Sequence, residues 1–465
     1  MRQLWNEARL RKLLHPLTVA FLLAWFLFFT WRGIHLYFDQ DDMLNLYLAW
    51  SKPPGEAWRA LLFYWSDFYR PLGGLFYTAV FAMAGFDPLP FRVVCLALGV
   101  FNIGLCFRLT RRVSGSERVA ALACLLFAFH PRLLEIWYRT ATIYDLLCFT
   151  LVWLAVCLYV EGRSAAAAVG VVVLYVGALD TKEAAVCLPV ILCAWELLFR
   201  RKAWKLIATL TVLTLPYIYG KTHGHGLLTG NPFYEAKYTW AQFEGSWTVY
   251  LQYIFLREHL YPWAAPCLLA GMLVIAMALR CRVMTFAWVT VFFGTLPVSF
   301  IPYRGGYVLY IAWLGWVLYA AAALVRLQDI ALRRHPQYRL GLACLVFGLT
   351  GWRMGKASLH EKRTDPLHWL YDPPAQIQQM ATEMRALQPG FPRGAKMLFV
   401  DDPFGADEWT PYFVMKLAWH DREMVVDRVK MMPGPPGDWK GYGYVFTFRD
   451  GHYRRLYPPD IPPER

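Results

Sequence analysis

Apolar runs of roughly 15–20 residues, each ended by a short polar turn, recur along the first three quarters of the chain. That is about the length a helix needs to cross a bilayer. The runs begin near Leu17, Pro71, Phe91, Val119, Asp145, Ala165, Ala184, Leu206, Trp263, Val283, Tyr307 and Leu340. Basic clusters fill the turns "RLTRRVSGSER" (108–118), "RRKAWK" (200–205), "RCR" (280–282) and "RLQDIALRRHPQYR" (326–339). Cytoplasmic loops concentrate Lys and Arg, so all four clusters belong inside with the basic N-terminus "MRQLWNEARLRKLLHP". If every run crosses, these turns fall outside. If the short run 71–86, punctuated by Pro71, Gly73, Gly74 and Gly85, stays in the outer interface, all four return inside together. The reading is a polytopic all-α membrane protein of about eleven crossings. Segments 39–88, 131–144, 180–183, 220–262 and 303–306 are then external, as is the C-terminal part. Within the first loop, "DMLNLYLAW" and "GEAWRALLFYWSDF" have mixed faces and read as short helices lying on the membrane.

After about Trp352 the pattern changes. A helix is expected from near Pro374 to Leu387, closed by Pro389 and Gly390. "KMLFVDDP", "EMVVDRV" and "YGYVFTFR" read as strands and "ADEWTPYFVMKLAWH" as a helix. The division is a membrane domain over 1–354 and a small α/β domain over 355–465, external by the crossing count. Asp401 and Asp402 at a strand end read as a turn, and the domain has no Gly-rich phosphate loop.

Composition agrees with the pattern. The 465 residues are 57% hydrophobic and 17% aromatic, against about 45–50% apolar in soluble domains. The net charge of +14 sits in short turns facing anionic lipid, so it does not indicate nucleic acid. The ten Cys lie almost wholly in apolar runs, which argues against a disulfide framework. No small-residue cleavage site follows the first run, which reads as an uncleaved span with its N-terminus in the cytoplasm. The absence of Asn-x-Ser/Thr sequons fits a bacterial inner membrane.

The external segments carry the ionisable residues: "FDQDD" (39–42 with Phe38), "FYRPLGG" (68–74), "HPRLLEIWYRTATIYD" (130–145), "DTKEA" (180–184) and "YRGGY" (303–307). Carboxylates near hydrocarbon are costly and mark a site unless they are solvated or capping. An ordinary reading stands beside each residue. FDQDD can be a helix-capping loop, with Asp41 or Asp42 as N-cap. Arg70 and Arg304 can anchor in headgroups. His130-Pro131 can simply end a helix, and Glu135 and Arg139 have i,i+4 spacing. Asp145 can cap, and Lys182-Glu183 can neutralise each other. "THGHG" (222–226) is a weak metal signal. The aromatics Tyr234, Tyr238, Trp240, Phe243, Trp247, Tyr250 and Tyr253 suit sugar stacking but suit an interfacial belt better.

Taken in order, these motifs resemble the membrane-embedded glycosyltransferases of the GT-C fold. That group includes protein O-mannosyltransferases, lipid A aminoarabinose transferases and TPR-linked mannosyltransferase-like proteins. The matching marks are the acidic pair after the first span, "YRPL" about thirty residues later, and "FAFHPRLLEIWYRTATIYDLLCF". "DTKEAAVCLPVILCAWEL" and Arg304 at the start of a late span complete the set, over residues 1 to about 355. The resemblance implies sugar transfer from a polyprenyl-phosphate-linked donor on the periplasmic leaflet, usually with inversion, to an acceptor hydroxyl of unnamed carrier. Matched here, Asp41 is the base or metal-side carboxylate, Asp42 its neighbour and Asp39 a competitor. Asp39, Arg70, His130, Glu135, Arg139, Asp145, Lys182, Glu183 and Arg304 are the substrate-binding set. The chemistry suits them: a base must take the hydroxyl proton, and cations must meet charge developing on the leaving phosphate. Adjacent carboxylates can also hold a divalent cation such as Mg or Mn. The rival reading is a transporter or flippase for a lipid-linked or anionic substrate, which would carry charges near the midplane in repeated halves. A non-catalytic scaffold is the third.

Overall fold

The computed structural model describes residues 2–53, 55–56, 59, 70–162, 164–199, 203–223, 234–364, 368–434 and 439–456. Most of "GEAWRALLFYWSDF" and His225 of "THGHG" lie outside the described residues. The helices are α1 (Arg2–Thr30), α2 (Gln40–Trp50), α3 (Pro71–Ala84), α4 (Pro88–Ser114), α5 (Glu117–Ala128), the single turn α6 (Glu135–Tyr138) and α7 (Ile143–Glu161). They continue as α8 (Ala165–Leu179), α9 (Leu188–Phe199), α10 (Trp204–His223), α11 (Trp240–Phe255), α12 (Ala264–Ala278), α13 (Arg282–Thr295), α14 (Tyr310–Ala331), α15 (Arg339–Thr364) and α16 (His368–Leu387). Among the described residues, four segments are long and apolar enough to cross a bilayer: Pro16–His35, Pro88–Ser114, Thr140–Glu161 and Gly306–Ala331. Pro71–Ala84, Ala165–Leu179, Ala264–Ala278 and Arg282–Val298 are shorter apolar helices. The chain is an all-α polytopic membrane protein with a small C-terminal sheet.

Local chemistry sets the helix ends. Pro88 opens α4 where Asp87 accepts from the Leu89 amide at 3.0 Å. Arg111 and Arg112 fill its last turn, and Gly115 closes it at φ +68°, the cation-rich, left-handed ending that satisfies a helix C-terminus. Ser116 then caps α5 through the Val119 amide.

Ion pairs gather two of the basic turns, 108–118 and 326–339, at one end of the bundle. Arg108 pairs with Glu161, and Arg118 with Asp329 at 2.9 Å. Arg339 lies 3.8 Å from the same carboxylate. At the opposite end lie the first turns of α7 and α14 and the last turn of α10. Both ends of α3 also lie there: the Leu72 amide donates to the Asp180 carbonyl, and the Phe81 ring stacks on His420 of the C-terminal sheet domain at 4.7 Å. A helix of 14 residues reaches only about 21 Å, short of the roughly 30 Å hydrocarbon core.

The C-terminal sheet comprises β1 (Lys396–Phe399), β2 (Val425–Arg428), β3 (Tyr444–Arg449) and β4 (His452–Leu456), with α17 (Thr410–Ala418) between β1 and β2. Its order is β2-β1-β3-β4; β1 runs parallel to β2 and β3, and β4 is antiparallel to β3. Two expectations are corrected. Helix α16 begins at His368 and carries Pro373 and Pro374 inside it, and "HYRRL" forms an edge strand not anticipated from its charge. Asp402 is fully buried in a 2.7 Å pair with Arg428 and accepts from the Phe404 amide, which accounts for the acidic turn.

This domain holds α2. The Tyr47 and Tyr412 hydroxyls are 2.7 Å apart, and Arg422 donates to the Trp50 carbonyl. Helix α3 is placed by Gly73, where a Cβ would fall 2.0 Å from the Tyr144 ring. That ring is fixed by its hydroxyl donating to Asn45 Oδ1 at 3.0 Å. Gly73→Ala is therefore expected to cost about 1–3 kcal/mol through overpacking, read as a lower unfolding midpoint in detergent. A midpoint equal to wild type would show that α3 moves away freely.

Candidate active site

Helix α2 starts where it does because Asp39, not Asp41 or Asp42, is its N-cap. Asp39 Oδ1 accepts from the Asp42 amide at 2.7 Å, and Asp42 Oδ2 accepts in return from the Asp39 amide at 3.3 Å. This reciprocal capping box consumes two of the three carboxylates. It leaves Asp41, on the first turn between them, pointing into a cavity of about 520 Å³. A volume of that size lies within the roughly 300–1,000 Å³ range of small-molecule sites. The lining carries Asp41, Glu135, Asp145 and Glu183 with Arg70, Arg139, Lys182, Lys221 and Arg304, so five cations face four carboxylates. Asn45, Tyr144, Tyr234 and Tyr307 add polar edges, and Leu44, Pro297, Val298, Ile301 and Val308 add apolar ones.

Most of these charges are spoken for. Glu183 binds Arg70 at 3.0 Å and Lys221 at 2.9 Å. Burial pushes its carboxyl upward, but the two cations outweigh burial and hold it well below the usual carboxylate range. Arg70 caps α3, and its guanidinium lies 5.4 Å from the Tyr144 ring centre. Lys182 pairs with Asp145, and its Nζ sits 4.8 Å from the Tyr307 ring centre. Lys182 and Glu183 thus do not neutralise each other; each reaches a different element. Arg139 Nε is 2.7 Å from Asp39, and its Nη1 lies 3.7 Å from Asp41. Arg304 differs from these. It donates to the Tyr234 hydroxyl and lies 4.2 Å from that ring centre, with no carboxylate within ion-pair distance among the described residues. Its charge is free to meet an anion.

Asp41 is 64% exposed, and what it faces is the cavity. Its carboxyl is pushed up by desolvation and then by Asp39, against the pull of Arg139 and Arg304. Glu135 is raised first by burial and held back by Arg139. Its Oε2 is buried without a hydrogen-bond partner among the described residues. The closeness of Gly305 explains the position: a Cβ there would meet that carboxylate at 2.5 Å.

Three residues of the expected set lie off the cavity. Asp42 is fully buried; Oδ1 accepts from the Ala141 amide at 2.6 Å, and Oδ2 is 3.2 Å from Arg92. Burial and Asp39 raise it to about 7, against Arg92 and the Ala141 amide. Both oxygens of that carboxylate are engaged and the group lies off the cavity, so Asp42 braces α2. Asp39 is the cap and holds Arg139. His130 is buried between the Ile254 carbonyl (3.1 Å from Nε2) and the Arg132 amide (3.3 Å from Nδ1). Burial lowers it to about 4, so it is a neutral structural pin. Lys221 is a lining residue that the sequence reading missed. Its signal was a lysine at the outer end of a run whose inner end already held the basic turn, an exception to the inside rule for positive charge. Among the described residues no group of three His, Cys, Asp or Glu side chains could hold a metal ion. A divalent cation would rest on Asp41 and draw most of its ligands from phosphate and water, as Mg commonly does.

No protein-family profile matches the chain, and no curated protein matches it in sequence. Among the solved structures that resemble it are two of one protein. One is ArnT from Cupriavidus metallidurans bound to undecaprenyl phosphate, with TM-score 0.54 and 14% identity over 94% of this chain and 93% of that one. The other is the same protein in the apo state, with TM-score 0.50 and 15% identity over 93% of each. Agreement of nearly the whole backbone at so low an identity is a statement about architecture, and by that architecture the chain has the GT-C fold.

Proposed function

We propose that the protein is an integral membrane glycosyltransferase. It moves a sugar from a polyprenyl-phosphate-linked donor to an acceptor hydroxyl at the periplasmic face of the bacterial inner membrane, with inversion. One observation carries this reading: a single cavity on the GT-C fold sets a cavity-facing carboxylate, Asp41, opposite a cation with no carboxylate partner among the described residues, Arg304. The acceptor oxygen attacks the anomeric carbon and its proton passes to Asp41. The bond from that carbon to the phosphate oxygen breaks, and its electron pair leaves on the phosphate. Arg304, with Arg70 and Lys221 tethered by Glu183, meets that charge with fixed cations already in place. A carboxylate raised toward neutrality is also the better base near pH 7. If Mg or Mn takes part, it supplies charge stabilisation at the same phosphate, beside Asp41.

The test incubates membranes holding the protein with labelled polyprenyl-phosphate sugars and crude cell extract as acceptor source. Wild type is expected to release sugar from one donor. Arg304→Gln is expected to lower kcat/KM about 10²–10³-fold, the scale for losing one transition-state charge donor. If wild type consumes no donor, the transport reading takes its place.

A further inference from the structure

Helices α1 and α15 both pack on α5 and leave a trough between them, away from the candidate active site. Its volume is about 660 Å³. Gly348, Gly351 and Gly355 form its floor, and Phe21, Trp25 and Trp352 are among its walls. Lys356, His360 and Arg363 line one end, from the residue next to the last glycine to about two helical turns beyond it. That end is the one where Glu361 of α15 pairs with Arg132, on the side of the candidate active site.

We propose that this trough binds an anionic phospholipid, one acyl chain lying over the glycines and the phosphate resting on Lys356 and Arg363. Charge complementarity names the headgroup: the ionisable residues that line the groove are basic or His, and Glu361 is already neutralised by Arg132. Length names the chain. From Lys356 back to Phe347 the helix rises about 14 Å, close to half of the roughly 30 Å hydrocarbon core, which is one leaflet. Small residues on a membrane helix more often admit another helix. Here the cationic end makes a negative lipid the fitting occupant, at roughly 1 kcal/mol for each Lys or Arg near a charged surface.

The test titrates delipidated full-length protein with phosphatidylglycerol or phosphatidylcholine and counts bound lipid by native mass spectrometry. A Cβ at position 348 meets nothing within 4 Å, so Gly348→Leu fills the trough without disturbing the bundle. Wild type is expected to hold one phosphatidylglycerol in preference to phosphatidylcholine, and Gly348→Leu to lose both. Lys356→Gln combined with Arg363→Gln should keep the chain site but reduce the preference about 30-fold, the equivalent of two such charges. Equal binding of the two lipids by wild type, or retention unchanged in both variants, overturns the proposal. So does a dimer that Gly348→Leu dissolves, since a second copy would then be the occupant.

Discussion

Asp41→Asn is expected to lower sugar release from the polyprenyl-phosphate donor by about 10²–10⁴-fold, the usual contribution of a positioned general base, while the protein stays folded. The side chain faces the cavity and takes no part in the capping box that starts α2. Asparagine therefore keeps shape but loses the ability to accept a proton and the negative charge that faces Arg139. The wild-type pH profile should carry an acid limb: Asp41 works deprotonated, so activity falls as pH drops through its pKa. That limb should lie above the ordinary carboxylate range, because desolvation and Asp39 raise the group. In Asp41→Asn the residual activity should lose the limb. Release equal to wild type, with the limb intact, would remove Asp41 from the chemistry and turn attention to Glu135.

The second large effect concerns stability. Asp42→Ala is expected to destabilise the fold by about 3–5 kcal/mol, the scale for leaving one partner of a buried ion pair uncompensated. Arg92 is 2% exposed and also donates to the Tyr37 carbonyl at 2.8 Å and to that of Tyr138. Without Asp42 it retains a buried charge, and the Ala141 amide loses its acceptor. The measurement is the unfolding midpoint in detergent. Replacing both residues by leucine should recover much of the loss, because a buried pair and a well-packed apolar pair are often close in energy. The pH dependence has a definite sign. The folded-state pKa of about 7 lies above the ordinary 3.8, so the group's contribution is fully present below the unfolded value and is lost as pH rises through about 7. Asp42→Asn should flatten that decline. No change in midpoint for Asp42→Ala would mean that Arg92 finds another partner.

These two aspartates show where sequence reasoning reached its limit. Periodicity and charge were enough for the helical bundle, the placing of the acidic motifs at one end, the shortness of α3 and three of the four strands of the C-terminal sheet, because each depends on spacings within a few residues. The motifs named the residues that now share a cavity: Asp41, Arg70, Glu135, Arg139, Asp145, Lys182, Glu183 and Arg304. Local pattern could not rank neighbours within a motif. Asp39, Asp41 and Asp42 are almost identical in sequence terms, and rotation of about 100° per residue around α2 sends them to a cap, a cavity and a buried arginine. The arginine is fifty positions away and the donating amide ninety-nine. The same holds for Lys182 and Glu183, whose partners lie on α7, α10 and the start of α3. It holds for Lys221, which entered the site only when the end of α10 met Glu183. The sequence by itself determined most of the helical segments, which segments are apolar and which charges gather at one face, since these follow from burial and hydrogen bonding along the local backbone. Tertiary structure alone decided which of those charges neutralise one another and which are left facing the cavity, because ion pairing depends on distances of 3–4 Å between elements remote in the chain.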